Sequence, residues 1–151
     1  MKREDFGLLV LRLSALGLAL VHGLPKLTAL VLGQSHMAET VAKLGFPFPN
    51  VFTWAAALGE FLGGLFVALG LFTRVSASAA AFTMFVAAFL QHHAFSRFLV
   101  NLRLRYVSEE TLKAWGNPEL ALLYLTVLLA VLIMGPGRIA FDSVIGGRGR
   151  R

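Results

Sequence analysis

The chain has 151 residues, 57% of them hydrophobic and 15% charged, and its formal net charge is +6 at pH 7. Its mean hydropathy of +0.73 excludes a soluble domain of this size, and the absence of cysteine excludes disulfides, thiolate metal sites and thiol catalysis within the chain. The basic residues are spread among loops and the C-terminal segment, which indicates contact with anionic lipid headgroups rather than with nucleic acid.

Four apolar stretches predict helices that cross the membrane. A hydrocarbon core of ~30 Å is crossed by ~20 helical residues, and the stretches of sufficient length are 6–27, 51–72, 75–95 and 118–134. Their continuous Leu-, Ala- and Phe-rich composition favours helices over the alternating segments of a β-barrel. The predicted fold is therefore all-α: an integral membrane four-helix bundle that forms one domain over residues 1–151.

Two of the segments between these stretches predict short amphipathic helices at the membrane surface. Residues 37–44 carry apolar side chains at 37, 41 and 44 and charges at 39 and 43, and a Pro-rich turn follows them. Ser108 or Val107 is placed to begin a second short helix ahead of the last span. The connection between the second and third spans, 70–74, is so short that we expect these spans to be antiparallel neighbours.

The distribution of Lys and Arg gives a small bias in orientation. If the N-terminus is cytoplasmic, slightly more basic residues lie on the inner side, among them Lys2, Arg148, Arg150 and Arg151. An even number of spans places both termini on the same side of the membrane. We therefore expect both termini in the cytoplasm.

Glu60 is the leading candidate for a functional residue, because it interrupts the apolar stretch 51–72. A charged side chain at mid-bilayer costs at least ~2.5 kcal/mol, so such residues usually face the bundle interior and pair with a partner. Glu60 with His22 would relay protons or hold a polar headgroup, and the alternative is a salt bridge that fixes the register of the helices. The candidate partners of Glu60 are Arg12, His22, Lys26, His92 and His93.

Further polar and aromatic residues gather in the outer half of the predicted bundle, where we expect them to form one polar pocket that holds the ligand. His22 and Lys26 are four residues apart and therefore project from one helical face. Lys26 could also extend to the membrane interface without a special role, and Arg12 could reach either toward Glu60 or toward the inner surface. The predicted catalytic residues are Glu60 and His22, and the predicted ligand-binding residues are Lys26, His92, Trp54 and Arg12.

Haem and metal sites are weaker alternatives. Histidines from different spans, His22 with His92 or His93, could ligate a haem iron, and His22, Glu60 and His92 could hold a metal ion. Such histidine pairing is a weak signal, because histidines are frequent at membrane interfaces. We therefore expect neither a metal nor haem in this chain.

Several short motifs occur together in this chain in a defined order. They are Leu11-Arg12-Leu13, His22-Gly23 with Lys26, Leu44-Gly45-Phe46-Pro47, Glu60 before Gly63-Gly64, Gly70-Leu71-Phe72-Thr73-Arg74, a histidine at the end of the third span, and Gly135-Pro136-Gly137-Arg138 with Asp142. In this order and spacing they resemble the DoxX family of small four-helix bacterial membrane proteins. The resemblance implies a location in the bacterial cytoplasmic (inner) membrane. It also implies a membrane subunit of a quinone-linked oxidoreductase or redox-protection complex, with a quinone as ligand and a soluble or membrane redox protein as partner.

Three functions are left open by the sequence, because a fold alone does not establish chemistry. In the first, a quinone binds between the helices, Glu60 and His22 exchange protons, and Lys26 or His92 donates a hydrogen bond to a quinone oxygen. The second is a non-catalytic scaffold that recruits a partner protein or lipid through its loop helices. The third is a small proton-coupled transporter. Whether this chain is itself an enzyme, and whether it forms oligomers, are equally open.

Overall fold

A computed structural model describes residues 3–146 of the chain. This part of the chain contains helices and no strands, and we number the helices α1 (Arg3–Val31), α2 (Met37–Lys43), α3 (Pro49–Leu69), α4 (Thr73–Gln91), α5 (Ala94–Asn101), α6 (Glu109–Trp115), α7 (Glu119–Met134) and α8 (Phe141–Gly146). Lys2, Arg148, Arg150 and Arg151, which support the predicted orientation, lie outside the described residues. The predicted all-α class is confirmed.

The long helices fit a multi-pass membrane protein. By length and composition α1, α3 and α4 can each cross a membrane, and α6 with α7, which meet at an angle of 40°, can form a fourth span. We call the end of the bundle that holds the α3–α4 connection the turn end. The opposite end, which holds α2, α5 and α6, is the loop end.

The bounds of the first three predicted spans differ from those in the structure, and the second, predicted over 51–72, is α3 from Pro49 to Leu69. The first span was predicted over 6–27, whereas α1 extends from Arg3 to Val31. The third span was predicted over 75–95, but α4 ends at Gln91 because His93 adopts the left-handed conformation, with φ of 50°. The chain then restarts as α5, a helix that the sequence analysis missed.

Both α1 and α4 contain a widened, π-helical turn near the loop end. These turns cover Leu18–Gly23 in α1 and Val86–Gln91 in α4. The first precedes Pro25, which lacks an N–H and whose ring clashes with the carbonyl of Val21 in a regular α-helix. Such turns are rare and occur frequently at functional sites.

Glycines on α3 allow its neighbours to approach closely. A Cβ on Gly59 would lie 2.9 Å from Thr83 Cγ2, and a Cβ on Gly63 would lie 3.2 Å from Ala80 Cβ. Gly59 meets Thr83, and the later Gly63 meets the earlier Ala80. Because residue numbers along the contact increase in α3 while they decrease in α4, the two helices are antiparallel neighbours, as predicted. Gly64 faces α1 in the same way. These small residues therefore serve helix packing.

The core of the bundle lies where α1, α3, α4 and α7 meet. It is formed by buried alanines together with larger apolar side chains, among them Leu18, Val67, Met84, Leu128 and Val131. The short helix α2 packs against α3, and Ser108 begins α6 by accepting a hydrogen bond from Thr111 N, as predicted. This arrangement holds α2 and α6 over the loop end of the bundle.

At the turn end, a distant carboxylate begins α4. Asp142 accepts hydrogen bonds from the backbone N–H groups of Phe72 (2.7 Å) and Thr73 (2.8 Å), and from the Thr73 hydroxyl (2.7 Å). The Asp142 N–H in turn donates to the carbonyl of Gly70 at 2.8 Å. Asp142 therefore fastens the segment after α7 to the α3–α4 connection and caps α4, as acidic side chains do at helix N-termini.

Candidate functional site

Glu60 forms an ion pair with Lys26. The Lys26 Nζ atom lies 2.5 Å from Glu60 Oε1 and 2.7 Å from Oε2, so the ammonium group donates to both carboxylate oxygens. The Glu60 side chain is 3% exposed and that of Lys26 is 35% exposed. Of the candidate partners, Lys26 is thus the residue that neutralises Glu60. The pairing satisfies the requirement that a buried charge has a partner.

Gly23 positions this ion pair. A Cβ on Gly23 would lie 2.6 Å from Phe61 Cα and 2.8 Å from the carbonyl carbon of Glu60, which is too close for any other residue. At this point α1 and α3 are in backbone contact, and Lys26 follows one helical turn later. From the sequence, Gly23 was noted only as part of the motif His22-Gly23 with Lys26. Its position three residues before Lys26, on the same helical face, could have indicated that a neighbouring helix approaches closely there.

An apolar cavity lies between α2, α3 and α4, and the ion pair borders it. Its volume is about 300 Å³, at the small end of the range for ligand sites. Its polar lining consists of Lys26, Glu60, Gln91, Thr40 and Thr83. Most of its wall is apolar and includes Met37, Val41, Leu44, Phe46, Phe52, Phe82 and Val86. The sequence analysis placed the apolar face of α2 on the membrane surface, whereas this face lines the cavity.

A second, polar cavity of about 280 Å³ lies between α1, α4 and α7. The His22 ring packs edge-on against Tyr124, with 6.0 Å between the ring centroids. His92 Nδ1 lies 2.6 Å from the carbonyl oxygen of Trp115. The polar lining consists of His22, Lys26, Glu60, Gln91, His92, Asn117 and Tyr124. Because Lys26 and Glu60 line both cavities, the ion pair separates an apolar space from a polar one.

Four of the six predicted site residues therefore come together. Glu60, His22, Lys26 and His92 all line the polar cavity, and their catalytic and binding roles stay predictions. Trp54 is 40% exposed on α3 and lines neither cavity. An exposed indole near the end of a span is typical of the membrane interface.

Arg12, the sixth predicted residue, lies away from this site. Lys26 follows it by fourteen positions on α1, which is roughly 20 Å at ~1.5 Å per residue. Arg12 is 1% exposed and donates a hydrogen bond to the carbonyl of Ile139 at the turn end. The idea that Arg12 reaches Glu60 is therefore wrong. The charge that acts on Arg12 is that of Asp142.

The Asp142 carboxyl is held in its charged form. Burial raises its pKa, but hydrogen bonds from Thr73 and Phe72, together with the positive charge of Arg12, lower it by more, so the net pKa lies below the usual value. Asp142 and Arg12 thus form a second charged cluster. Arg12 donates to the carbonyl of Ile139, Asp142 accepts from Phe72 and Thr73, and the two opposite charges attract each other. This cluster fastens the turn end and does not border either cavity.

No metal centre is formed by the described part of the chain. Within residues 3–146 no group of three or more His, Asp or Glu side chains is placed to hold a metal ion. His22, Glu60 and His92 line the same cavity without converging on one point.

The predicted site left out five polar residues that line the cavities, among them Thr40 and Thr83 in the apolar cavity. Gln91 lines both cavities, and Asn117 and Tyr124 line the polar cavity. Tyr124 could have been noticed from the sequence, because its hydroxyl is one of the few polar groups in the mostly apolar α7. Gln91 directly precedes the predicted site residue His92 and could have been included with it.

Comparison with known proteins gives one match. The model of the DoxX family matches residues 7–93, which is more than half of the chain. No curated protein and no solved structure matches the chain. The matched region extends from α1 to the end of α4 and includes Gly23, Lys26, Glu60 and His92. Asn117, Tyr124 and Asp142 lie beyond it. The resemblance inferred from the sequence is confirmed.

Proposed function

Because this chain belongs to the DoxX family, we propose that it is the membrane subunit of a quinone-linked oxidoreductase or redox-protection complex. In this proposal the headgroup of a quinone, or of a similar lipophilic carbonyl compound, binds in the apolar cavity beside Lys26 and Glu60. The observation that carries the proposal is the position of a buried ion pair at the border of an apolar, aromatic cavity. Ligand sites typically combine such an apolar wall with a few polar groups.

The lining of the apolar cavity suits a ligand that has a flat ring with carbonyl groups. The rings of Phe46 and Phe52 pack with 4.9 Å between their centroids, and Phe82 lines the same cavity. Aromatic side chains pack favourably against a second ring. Lys26 and Gln91 carry N–H groups that can donate to a carbonyl oxygen. The cavity volume of about 300 Å³ suits a headgroup whose tail extends into the lipid.

In this proposal some residues bind the ligand and others exchange protons with it. A bound quinone would supply the electron-accepting chemistry. The chain has no cysteine and therefore no redox-active thiol of its own. Lys26 fixes the position of the Glu60 carboxylate and orients a ligand oxygen. Glu60, which lines both cavities, and His22, which lines the polar cavity, are groups that can hold and release a proton. The electron donor in this proposal is a soluble or membrane redox protein, and the location is the bacterial cytoplasmic membrane with both termini in the cytoplasm.

Filling the apolar cavity should weaken quinone binding. Val41 lines the cavity, whereas its neighbour Ala42 is exposed on α2. We expect Val41→Phe to raise the dissociation constant for decylubiquinone at least about tenfold, or ~1.4 kcal/mol, because the added ring occupies ligand volume. The measurement is saturable quenching of tryptophan fluorescence in purified protein.

The matched control for this experiment is Ala42→Phe, which adds the same kind of bulk on the other face of α2. It should bind decylubiquinone like the wild type. Absence of saturable quenching in the wild type would overturn the proposed function. Equal affinities of Val41→Phe and Ala42→Phe for decylubiquinone would show that the quinone does not bind in this cavity.

A further inference from the structure

We propose that the polar cavity is a water-filled vestibule that gives the Lys26–Glu60 pair access to the aqueous phase at the loop end. The ligand cavity lies on the other side of the same pair. In this arrangement water and protons reach Glu60 from one side, through the space bordered by His22 and Tyr124, while a lipophilic ligand occupies the other side. Where it concerns the ligand, this inference rests on the proposed function.

The size and lining of the polar cavity suit water. A buried water needs two to four polar partners and takes ~30 Å³ in the liquid, so the cavity volume of about 280 Å³ accommodates several. Side chains from three helices supply hydrogen-bonding groups around this space: His22 on α1, Gln91 at the end of α4 and Tyr124 on α7. In the apolar cavity, by contrast, the polar side chains are set in a wall that is mostly apolar.

The ion pair itself has unused hydrogen-bonding capacity. An ionised carboxylate has about four acceptor positions and an ammonium group has three N–H donors. Lys26 donates to each of the Glu60 oxygens once, which leaves acceptor positions on both oxygens and a further donor on Lys26. Water in the adjoining polar cavity can satisfy these groups, and apolar walls cannot.

The helix backbone is also adapted to a hydrated space at this depth. The widened turn of α1 contributes Leu18 and His22 to the polar cavity, and the widened turn of α4 contributes Ala87 and Gln91. Irregular backbone at membrane depth is tolerated where it is buried in protein or lines a water-filled cavity. The turn of α1 borders the polar cavity alone, whereas Ala87 and Gln91 of α4 border both cavities, so the α1 turn is the one that favours a hydrated space.

The cavity has a route to the surface at the loop end. Lys26 is partly exposed, with 35% of its side chain accessible, and Asn117, at the start of α7, is exposed. The turn end offers no such route from this cavity, because the core residues Leu128 and Val131 lie between. Water and protons are thus expected to enter from the loop end.

Cysteine accessibility tests the vestibule directly, because the chain contains no native cysteine. Three alanines give a matched set of single-cysteine variants: Ala121→Cys in the polar cavity, Ala56→Cys in the apolar cavity and Ala77→Cys in the core, where the alanine is 0% exposed. Water-facing thiols ionise and react, whereas thiols in apolar surroundings do so poorly.

With a negatively charged, membrane-impermeant methanethiosulfonate, we expect Ala121→Cys in purified protein to react at least about tenfold faster than Ala77→Cys or Ala56→Cys. The lipophilic reagent N-ethylmaleimide should reach Ala56→Cys as well. In SDS all three thiols should react equally, which confirms that each variant carries a free thiol. Reaction of Ala121→Cys at the slow rate of Ala77→Cys, with equal reaction in SDS, would overturn the vestibule.

Repeating the labelling in the presence of decylubiquinone tests this inference separately from the proposed function. Decylubiquinone should protect Ala56→Cys from N-ethylmaleimide and leave the charged reagent's reaction with Ala121→Cys unchanged. Loss of the protection alone would contradict quinone binding while the vestibule stands. Ala56→Cys reacting with the charged reagent as fast as Ala121→Cys would instead overturn the division into a wet and a dry cavity.

Discussion

Replacing Lys26 with methionine should lower the free energy of unfolding by about 3 kcal/mol, the lower end of the cost of breaking a buried ion pair. Methionine keeps an apolar stem of similar length, so the change removes the charge and little packing. The loss arises because Glu60, 2% exposed, then has no opposite charge. We place it at the lower end because 35% of the Lys26 side chain is exposed. The measurement is SDS-induced unfolding of the purified protein followed by circular dichroism.

A double-mutant cycle separates the ion pair from the loss of either side chain. Lys26→Met combined with Glu60→Gln should recover at least about half of the loss, because no buried charge is left unpaired. Lys43→Met, on the exposed end of α2, serves as the lysine control and should stay within ~0.5 kcal/mol of the wild type. Strictly additive losses in the cycle would contradict an energetic coupling between Lys26 and Glu60.

Replacing Asp142 with alanine should destabilise the protein by about 2 kcal/mol, since it removes a helix cap, typically ~1 kcal/mol, together with a negative charge that stabilises the N-terminus of α4 and acts on the buried Arg12. The cap consists of the hydrogen bonds from Phe72 and Thr73. Asp142→Asn should lose less, because an amide oxygen can still accept from α4. Unfolding in SDS at pH 7 measures both variants.

The acid dependence of stability gives a second readout for the same residue. The pKa of Asp142 is lowered in the folded protein from its usual value of 3.8. The stabilisation by its charge is therefore fully present above that usual value and is lost as the pH falls through the lower folded value. Asp142→Asn should lack this acid-linked loss. An Asp142→Asn variant as stable as the wild type at pH 7, with the same acid profile, would contradict the account of the turn end.

The sequence carried enough information for the spans and for much of the site. Long apolar stretches predict helices reliably, because lipid leaves backbone groups few alternatives. The same reasoning reduced the partners of Glu60 to a few cationic residues and histidines. It could not choose between Lys26 and Arg12, since both lie on α1 and both have long side chains. The choice depends on where α1 and α3 cross, and the contact at Gly23 fixes that crossing.

Features that depend on contacts between distant parts of the chain were not predictable from local patterns. The hydrogen bond from Arg12 to Ile139 joins residues 127 positions apart, and Asp142 caps α4 across 69 positions to Thr73. Similarly, the helix α5 follows the third span without an obvious change in composition. The break between α4 and α5 is set by the left-handed backbone conformation of His93. Hydropathy reports burial in lipid and does not report such breaks.

The division into two cavities was also beyond the sequence. The amphipathic pattern of α2 correctly indicates one apolar face, but it does not say whether that face meets lipid or protein. In the structure Met37 and Val41 meet the protein and line the apolar cavity. The polar residues were predicted to form one pocket, and the ion pair instead lies between two.

Photolabelling with an azido-quinone tests the central claim, that a lipophilic carbonyl ligand occupies the apolar cavity beside Lys26 and Glu60, most directly. The label should be found by mass spectrometry on the cavity-facing residues of α2, α3 and α4, such as Val41, Phe52 and Val86, and excess decylubiquinone should abolish it. Labelling that is not competed, or that concentrates on exposed apolar residues remote from the cavity such as Val75 and Ile133, would contradict the claim.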